Sequence, residues 1–371
     1  MGMLQQHAEL VTGQKCTLSE PFSAGQYSVC FELVAEDDSL IIARVRLPRH
    51  PTASSNVAEE DEQYQIQCEL ATMRFVAQGL PQLKVPSIYA YEGPGSQRAL
   101  DVGAPYMLIQ GFYGNSLNDL VYGETAEGVS TGFYCLSAAK QEQIITQWTT
   151  GPFQNAAHYF TAAGMGTLRR ASEYDDTQEQ PDLYNLGATI FLDIVRYTPL
   201  FESHGPYPLC HMDLHMGNIL VDDDLNFMAI IDWEFAQTVP WQVNSYPGPF
   251  PLWSSDESIE KTLNDPDHVA HKNVKRHDAA RKLYSRKFDE AAAKYADGPY
   301  PDGSYTELLG GAASRIYAAF MELGSDPEQD QHHIDEMLRL AFGLNDGTNW
   351  YIQNLDNRWN EDNSFLLAYI K

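Results

Sequence analysis

The stretch His211-Met-Asp213-Leu-His215-Met-Gly-Asn218-Ile-Leu-Val-Asp222-Asp223-Asp224-Leu-Asn-Phe-Met-Ala-Ile-Ile231-Asp232-Trp233-Glu234 decides how this chain reads. A carboxylate, Asp213, is followed by an amide, Asn218, and then by the apolar run Ile-Leu-Val. The polar turn Asp222-Asp223-Asp224 leads to a second apolar run that ends on another carboxylate, Asp232. Two short apolar runs about a polar turn predict a β-hairpin. A loop leading into that hairpin brings Asp213, Asn218 and Asp232 to one mouth. Phosphoryl transfer calls for these three groups: a carboxylate to take the acceptor's proton, and an amide and a carboxylate to hold Mg²⁺ on nucleotide phosphates.

Upstream of this stretch, residues 19–50 alternate and turn as a hairpin. Phe22 to Leu33 is one apolar-rich run, Asp37-Asp38-Ser39 the turn, and Leu40 to Pro48 the next strand. Glu59 to Gly79 reads as a helix, with Ile66, Leu70, Met73 and Ala77 at helical spacing and Gly79 as the stop. Val85 to Tyr91 and Pro105 to Gly114 read as strands, the second ending in a glycine-rich hinge. From Lys140 the pattern turns helical, clearest over Gln141–His158 and Tyr184–Phe201, with Arg169–Asp182 between them as a polar, exposed loop. Beyond the decisive stretch come a Pro/Trp-rich segment and helical patterns over 256–296, 304–323 and 329–343. The charge-alternating part from Asp278 to Ala296 reads as a solvated helix.

A chain of 371 residues with 43% apolar content buries a sizeable core and exceeds ordinary single-domain size, so two lobes about a cleft are expected. It has no apolar run long enough to span a membrane and no signal-type N-terminus. Gln6 stands where a myristoylation motif wants Ser or Thr. Five scattered cysteines without metal-type pairs read as reduced thiols in a cytoplasmic protein. A formal charge of −27 argues against nucleic acid and anionic membranes as partners. It serves solubility first and the steering of a cationic acceptor second.

His-x-Asp-x-x-x-x-Asn followed by Ile-Asp-Trp-Glu resembles the catalytic core of the aminoglycoside phosphotransferase/choline kinase-like family, the small-molecule branch of the protein-kinase-like fold. The longer strings Asn-Ile-Leu-Val-Asp-Asp and Ile-Ile-Asp-Trp-Glu-Phe-Ala are most similar to its fungal members. The order β-β-α-β-β over the first 115 residues extends the likeness. The fold class implied is α+β and bilobal: a small antiparallel-sheet N-lobe over 1–114, and a mainly helical C-lobe over 115–371 that carries the catalytic loop and the acceptor-binding helices.

The resemblance implies a role for each matching residue. Asp213 is the base, and Asn218 and Asp232 hold Mg²⁺. His211 braces the loop. His215 is read either as a contact to acceptor or phosphate, or as a packed loop histidine. Glu234 is read as fixing a neighbouring backbone or touching a cationic acceptor. On the nucleotide side, the turn from Phe22 to Ser28 holds a single glycine, Gly25, and covers the phosphates with backbone amides and the Ser23 and Ser28 hydroxyls. Arg44 stands where the family has the β3 lysine, with Arg46 on the same face. This is the clear departure, because a guanidinium forks onto two oxygens and is bulkier than an ammonium. Glu69 is placed to complete the ion pair of the fold, and the segment Gln110 to Phe112 to meet the adenine.

Two functions of different class follow. The first is phosphoryl transfer from ATP, or GTP, with Mg²⁺, to a hydroxyl, amine or carboxylate of a small molecule. Trp233, Trp241, Trp253, Trp350, Tyr351 and Trp359 would suit a cationic or aromatic acceptor, although such residues are more often core. The second is a kinase-fold protein repurposed as a binding or regulatory module or for non-phosphoryl tailoring chemistry, favoured by the thin glycine loop and the missing lysine. The intact Asp213, Asn218 and Asp232 set weighs for the first.

Overall fold

The computed structural model describes residues 2–24, 28–48, 59–122, 152–173, 183–244, 256–295 and 305–354. The chain divides into two compact units, Met1–Cys135 with His211–Gln237, and Leu136–Cys210 with Thr238–Lys371.

In the first unit, helix α1 (Gly2–Thr12) precedes strands β1 (Cys16–Ala24), β2 (Ser28–Ala35) and β3 (Leu40–Arg46). Helix α2 (Glu59–Gly79), strand β4 (Ile88–Glu92), helix α3 (Gln97–Val102) and strand β5 (Tyr106–Gln110) follow. The strands form one antiparallel sheet in the order β1-β2-β3-β5-β4. Alternation gives the sheet two chemically distinct faces. Phe31, Leu33 and Ala35 of β2, with Ile41, Ala43 and Val45 of β3, pack against Leu4 and Ala8 of α1. The intervening positions carry Ser28, Cys30, Arg44 and Arg46, set side by side by the pairs Ser28↔Arg46 and Cys30↔Arg44. A slip of one residue would drive both guanidinium groups into the α1 core, so the register is strongly specified.

Helix α1 and strand β1 lie outside the expected order. The run from Phe22 to Leu33 is the end of β1 and most of β2, with Gly25 and its neighbours 26–27 outside the described residues. His7 ties α1 to the sheet, its Nδ1 lying 2.6 Å from the Tyr106 hydroxyl and its Nε2 2.6 Å from Arg98 Nη1. A guanidinium only donates, so Nε2 accepts and Nδ1–H donates to Tyr106. Burial and then the Arg98 charge push the His7 pKa below its usual value.

Helix α2 has the bounds that the spacing predicts, burying Leu70, Met73 and Val76, while Ala77 is exposed. The predicted hairpin is β7 (Ile219–Val221) and β8 (Phe227–Ile230), joined by a short β6 (Asn115–Ser116) in the antiparallel order β6-β7-β8. At its turn the Asp222 carboxylate accepts from the Asp224 and Asn226 amides.

The second unit is helical. Its helices are α5 (Ala156–Glu173), α6 (Leu183–Tyr197), α7 (Asp256–Leu263), α8 (His271–Tyr295), α9 (Tyr305–Gly310), α10 (Ala312–Glu322), α11 (Asp330–Phe342) and α12 (Gly347–Gln353), after α4 (Leu117–Tyr122) in the first unit. Of the expected helix Gln141–His158, residues 141–151 lie outside the described set, and helix begins only at Ala156. Arg169 to Glu173 close that helix instead of opening a loop. The expected helix from Tyr184 to Phe201 stops at Tyr197, because Pro199 lacks an N–H and restarts the chain as a 3₁₀ turn capped by Thr198. Phe160, Phe191, Phe201 and Phe320 are fully buried, with Phe191 stacked on Phe320 at 3.9 Å between ring centroids. Tyr351 is buried in the same unit and donates to Asp193 of α6. The fold class is α+β, and among the described residues no helix is long and apolar enough to cross a membrane.

Candidate active site

The loop between His211 and Ile219 is held by its own polar groups. The Asp213 carbonyl accepts from the His215 amide at 3.1 Å and from the Asn218 side-chain Nδ2 at 2.9 Å. The Asn218 amide donates to the His215 carbonyl at 3.0 Å, and the Asn218 carbonyl accepts from Ile231 at 3.0 Å. With Ile219 opposite Ile230 in the hairpin, this last bond puts Asp232 beside Asn218. Sequence spacing therefore gathers the three residues as the hairpin pattern predicts. Because Asn218 spends its amide nitrogen on the loop, its oxygen is the end left to act as a ligand.

Backbone strain sits on this loop. Met212 and Asp232 both have left-handed backbone, with φ of 65° and 64°. Such conformations cost on the order of 1–3 kcal/mol each for non-glycine residues and persist only where the surroundings impose them. Asp213 is largely buried, while the Asp232 side chain keeps 34% of its surface exposed.

Asp232 also meets the sheet. Arg44 Nη1 lies 2.7 Å from Glu69 Oε1 of α2, and its Nη2 lies 3.4 Å from Asp232 Oδ1 and 3.7 Å from Glu234 Oε2. One guanidinium thus faces three carboxylates, and the fork makes this possible because its nitrogens diverge. Burial works against the charge of Arg44, yet Glu69, Asp232 and Glu234 together hold its pKa above the usual value. Burial pushes the Glu69 carboxyl up against the pull of Arg44. Glu234 is pushed up to about 8, by burial first and then by the charge of Asp232, so near neutral pH it is largely protonated and relieves the crowding of anions. The Glu234 carboxyl faces Arg44, a contact that the sequence reading of this residue does not include.

The other nucleotide-side residues are dispersed. Ser28, Arg44, Arg46, Glu69, Tyr91 and Glu234 line one cavity of the first unit. Ser23 is exposed on β1, and Gly25 is outside the described residues. Gln110 turns its side-chain oxygen to the Ser87 amide at 3.3 Å, and Phe112 is half-buried; neither lines that cavity. Of the aromatic residues read as acceptor contacts, Trp233 and Tyr351 are buried core, Trp241 and Trp350 are half-buried, and Trp253 and Trp359 lie outside the described residues.

Two histidines complete the loop. His211 is buried, with its Nε2 at 2.9 Å from the Ile231 carbonyl and its ring against Trp233, and burial lowers its pKa. This contact ties the His211 loop to the chain just before Asp232. His215 caps the 3₁₀ turn Met216–Asn218 by accepting from the Gly217 amide, a role that its position as a polar residue opening a turn would have signalled.

Among the described residues no cluster of three or more His, Cys, Asp or Glu would hold a metal alone. One carboxylate and one amide oxygen, Asp232 and Asn218, still fit Mg²⁺, which keeps several waters and takes its remaining oxygens from phosphates.

Comparison with curated protein sequences gave no match. Among solved structures, the chain is similar to macrolide 2′-phosphotransferase MphH from Brachybacterium faecium, at 14% identity over 91% of this chain and 97% of that one, with a TM-score of 0.40. It is similar to a putative fructosamine-3-kinase from Thermobifida fusca, at 12% identity over 93% and 100%, with a TM-score of 0.43. A choline kinase from Cryptosporidium parvum matches at 12% identity over 94% and 93%, with a TM-score of 0.41. The family model of the phosphotransferase enzyme family, APH, matches residues 21–241, a span that takes in β2 to β5, the loop of Asp213 and Asn218, and Asp232. The chain therefore belongs to the APH phosphotransferase family, with its protein-kinase-like fold, and is a small-molecule phosphotransferase.

Proposed function

We propose that the protein transfers the γ-phosphoryl group of ATP to a hydroxyl group of a small-molecule acceptor, with Asp213 as base and with Asn218 and Asp232 holding Mg²⁺. The observation that carries this reading is the Arg44 node. An arginine at the lysine position still makes the ion pair with the α2 acid, at 2.7 Å, and still reaches Asp232. The departure that favoured a repurposed fold therefore loses most of its weight.

The chain's residues divide the work. Asp213 orients the acceptor hydroxyl and receives its proton late, since phosphoryl transfer is chiefly positioning and charge stabilisation. Arg44 and Arg46 supply positive charge along the polar face of β3, with the Ser28 hydroxyl beside them in the same cavity. Asn218 and Asp232 offer hard oxygens from one rigid hairpin. Bound there, Mg²⁺ would neutralise phosphate charge. This is needed here because Arg44 is already shared among carboxylates. Residues 1–114 serve the nucleotide on this reading, and 115–371 carry the catalytic loop and the acceptor site. A reducing, cytoplasmic setting belongs to it as well.

Calorimetry of ATP binding with and without Mg²⁺, on wild type and on Asp232→Ala, tests the reading. Micromolar, metal-dependent binding that the variant loses is expected. No binding of ATP under any metal would overturn it.

A further inference from the structure

We propose that His215 is a positioning residue that orients the Asp213 carboxylate while capping the turn that presents Asn218. This rests on the reading of Asp213 as the base. His215 Nδ1 accepts the Gly217 N–H at 3.0 Å. An accepting Nδ1 carries no proton, so the neutral ring has its hydrogen on Nε2. That nitrogen faces Asp213 Oδ1 at 3.9 Å, with both side chains largely buried. The distance is longer than a hydrogen bond and would have to shorten for one to form. Catalytic contacts often tighten only once substrate is bound.

The sequence makes room for the ring. A Cβ at Gly217 would stand 2.7 Å from Cε1 and 2.9 Å from Nδ1 of His215, so any larger residue there displaces the imidazole. The His215 carbonyl in turn accepts the Asn218 amide at 3.0 Å. One residue thus orders both ends of the Asp-x-x-x-x-Asn segment. With Nε2–H against one oxygen of Asp213, the other oxygen is presented to the acceptor hydroxyl in a fixed direction.

The test uses the full chain in two ways. Selective ¹⁵N-histidine labelling at pH 8, with the His215 signals identified by their loss in His215→Gln, should give an Nε2–H tautomer whose Nε2 shift moves in Asp213→Asn. An Nδ1–H tautomer, or shifts blind to Asp213→Asn, would overturn the proposal. Hydrolysis of Mg·ATP, with water as acceptor, should fall 10- to 100-fold in kcat for His215→Ala and Gly217→Ala, with the Kd for Mg·ATP within twofold of wild type. His215→Asn, whose side-chain oxygen still caps the turn but does not reach Asp213, should stay as slow as His215→Ala. Full recovery in His215→Asn would reduce the residue to a cap, and a raised Kd with unchanged kcat would make it a nucleotide contact; either result overturns the proposal. Wild type that fails to bind Mg·ATP sinks the phosphotransferase reading itself, an outcome distinct from wild type that binds and turns over beside unaltered variants.

Discussion

Arg44→Ala is the perturbation whose consequences the structure sets most sharply. At an effective dielectric of about 20, contacts of 2.7 and 3.4 Å correspond to roughly 6 and 5 kcal/mol of gross attraction to Glu69 and Asp232, while Glu234, largely protonated, adds less. Desolvation cancels much of this, so the net loss is smaller. Removing one partner of a buried pair costs about 3–5 kcal/mol, because the remaining charge is stranded. The stranded group is Glu69, whose side chain is 3% exposed. Its carboxyl is already raised by burial and would rise further without the guanidinium. A carboxylate raised in the folded state lowers stability above its ordinary pKa; the penalty shrinks as pH falls through the folded pKa and is gone only below the ordinary one. The loss should therefore be large at pH 8 and shrink towards pH 5. Hydrogen exchange of β3 and α2, as protection factors, reads the first unit directly. A drop of roughly 10²- to 10³-fold at pH 8 is expected. Arg44→Met with Glu69→Leu should restore most of the protection, since apolar replacement of a buried pair is often neutral. Protection factors unchanged within threefold at pH 8 would refute the view of Arg44 as the neutralising centre of this node.

The remaining predictions concern stability. His7 has a folded pKa below its usual value, so its contribution is complete above about pH 6.5 and is lost as pH falls through the lowered pKa. Melting temperatures from pH 8 to pH 5 should thus fall more steeply for wild type than for His7→Gln, and parallel profiles would remove His7 as the cause. Gly187→Ala in α6 sets a helix-propensity gain of about 1 kcal/mol against overpacking of about 1–3 kcal/mol. The new Cβ would stand 2.7 Å from Leu323 Cδ1 and 3.2 Å from Ile334 Cγ1. Both neighbours are buried, so urea unfolding followed by circular dichroism should show net destabilisation. Phe191→Ala opens a cavity against Phe320 and should cost about 3–5 kcal/mol by the same measurement.

The hairpin and its three polar residues were legible because two periodicities coincide: apolar runs of strand length and polar residues at their ends. Glu69 was legible for a similar reason, as helical spacing from Leu70 and Met73 fixes which side of α2 it occupies. Helix α1 was not read, although Leu4, Ala8 and Val11 recur at i, i+4 and i+7. Eleven residues with one short apolar stripe give a weak signal on their own. The Glu234 contact was hidden for another reason. It depends on the left-handed backbone of Asp232, which turns the following 3₁₀ segment Trp233–Phe235 back towards the sheet. Aspartate is among the non-glycine residues enriched in that conformation, but the enrichment is too weak to mark a single position. His215 was seen, but its role turns on which ring nitrogen meets the Gly217 amide, and only coordinates decide that.

Arginine in place of lysine on β3 and glutamate two residues after Asp232 are best understood as one feature. An ammonium is a single compact donor centre and would satisfy Glu69 alone at the 2.7 Å contact, leaving Glu234 buried beside Asp232 with only the charge of Arg46 to offset it. The guanidinium spans both sides, which lets the chain keep a third carboxyl in the node. Glu234 then titrates near neutrality, at about 8, while a lone buried carboxyl beside another anion would be still harder to ionise. On this argument Arg44→Lys is not a return to the family pattern but a mismatch. It should bind nucleotide more weakly than wild type unless Glu234→Gln accompanies it, and calorimetry of Mg·ATP binding to the single and double variants measures that coupling. Equal affinities for Arg44→Lys with and without Glu234→Gln would separate the two residues and leave the arginine without a reason in the site.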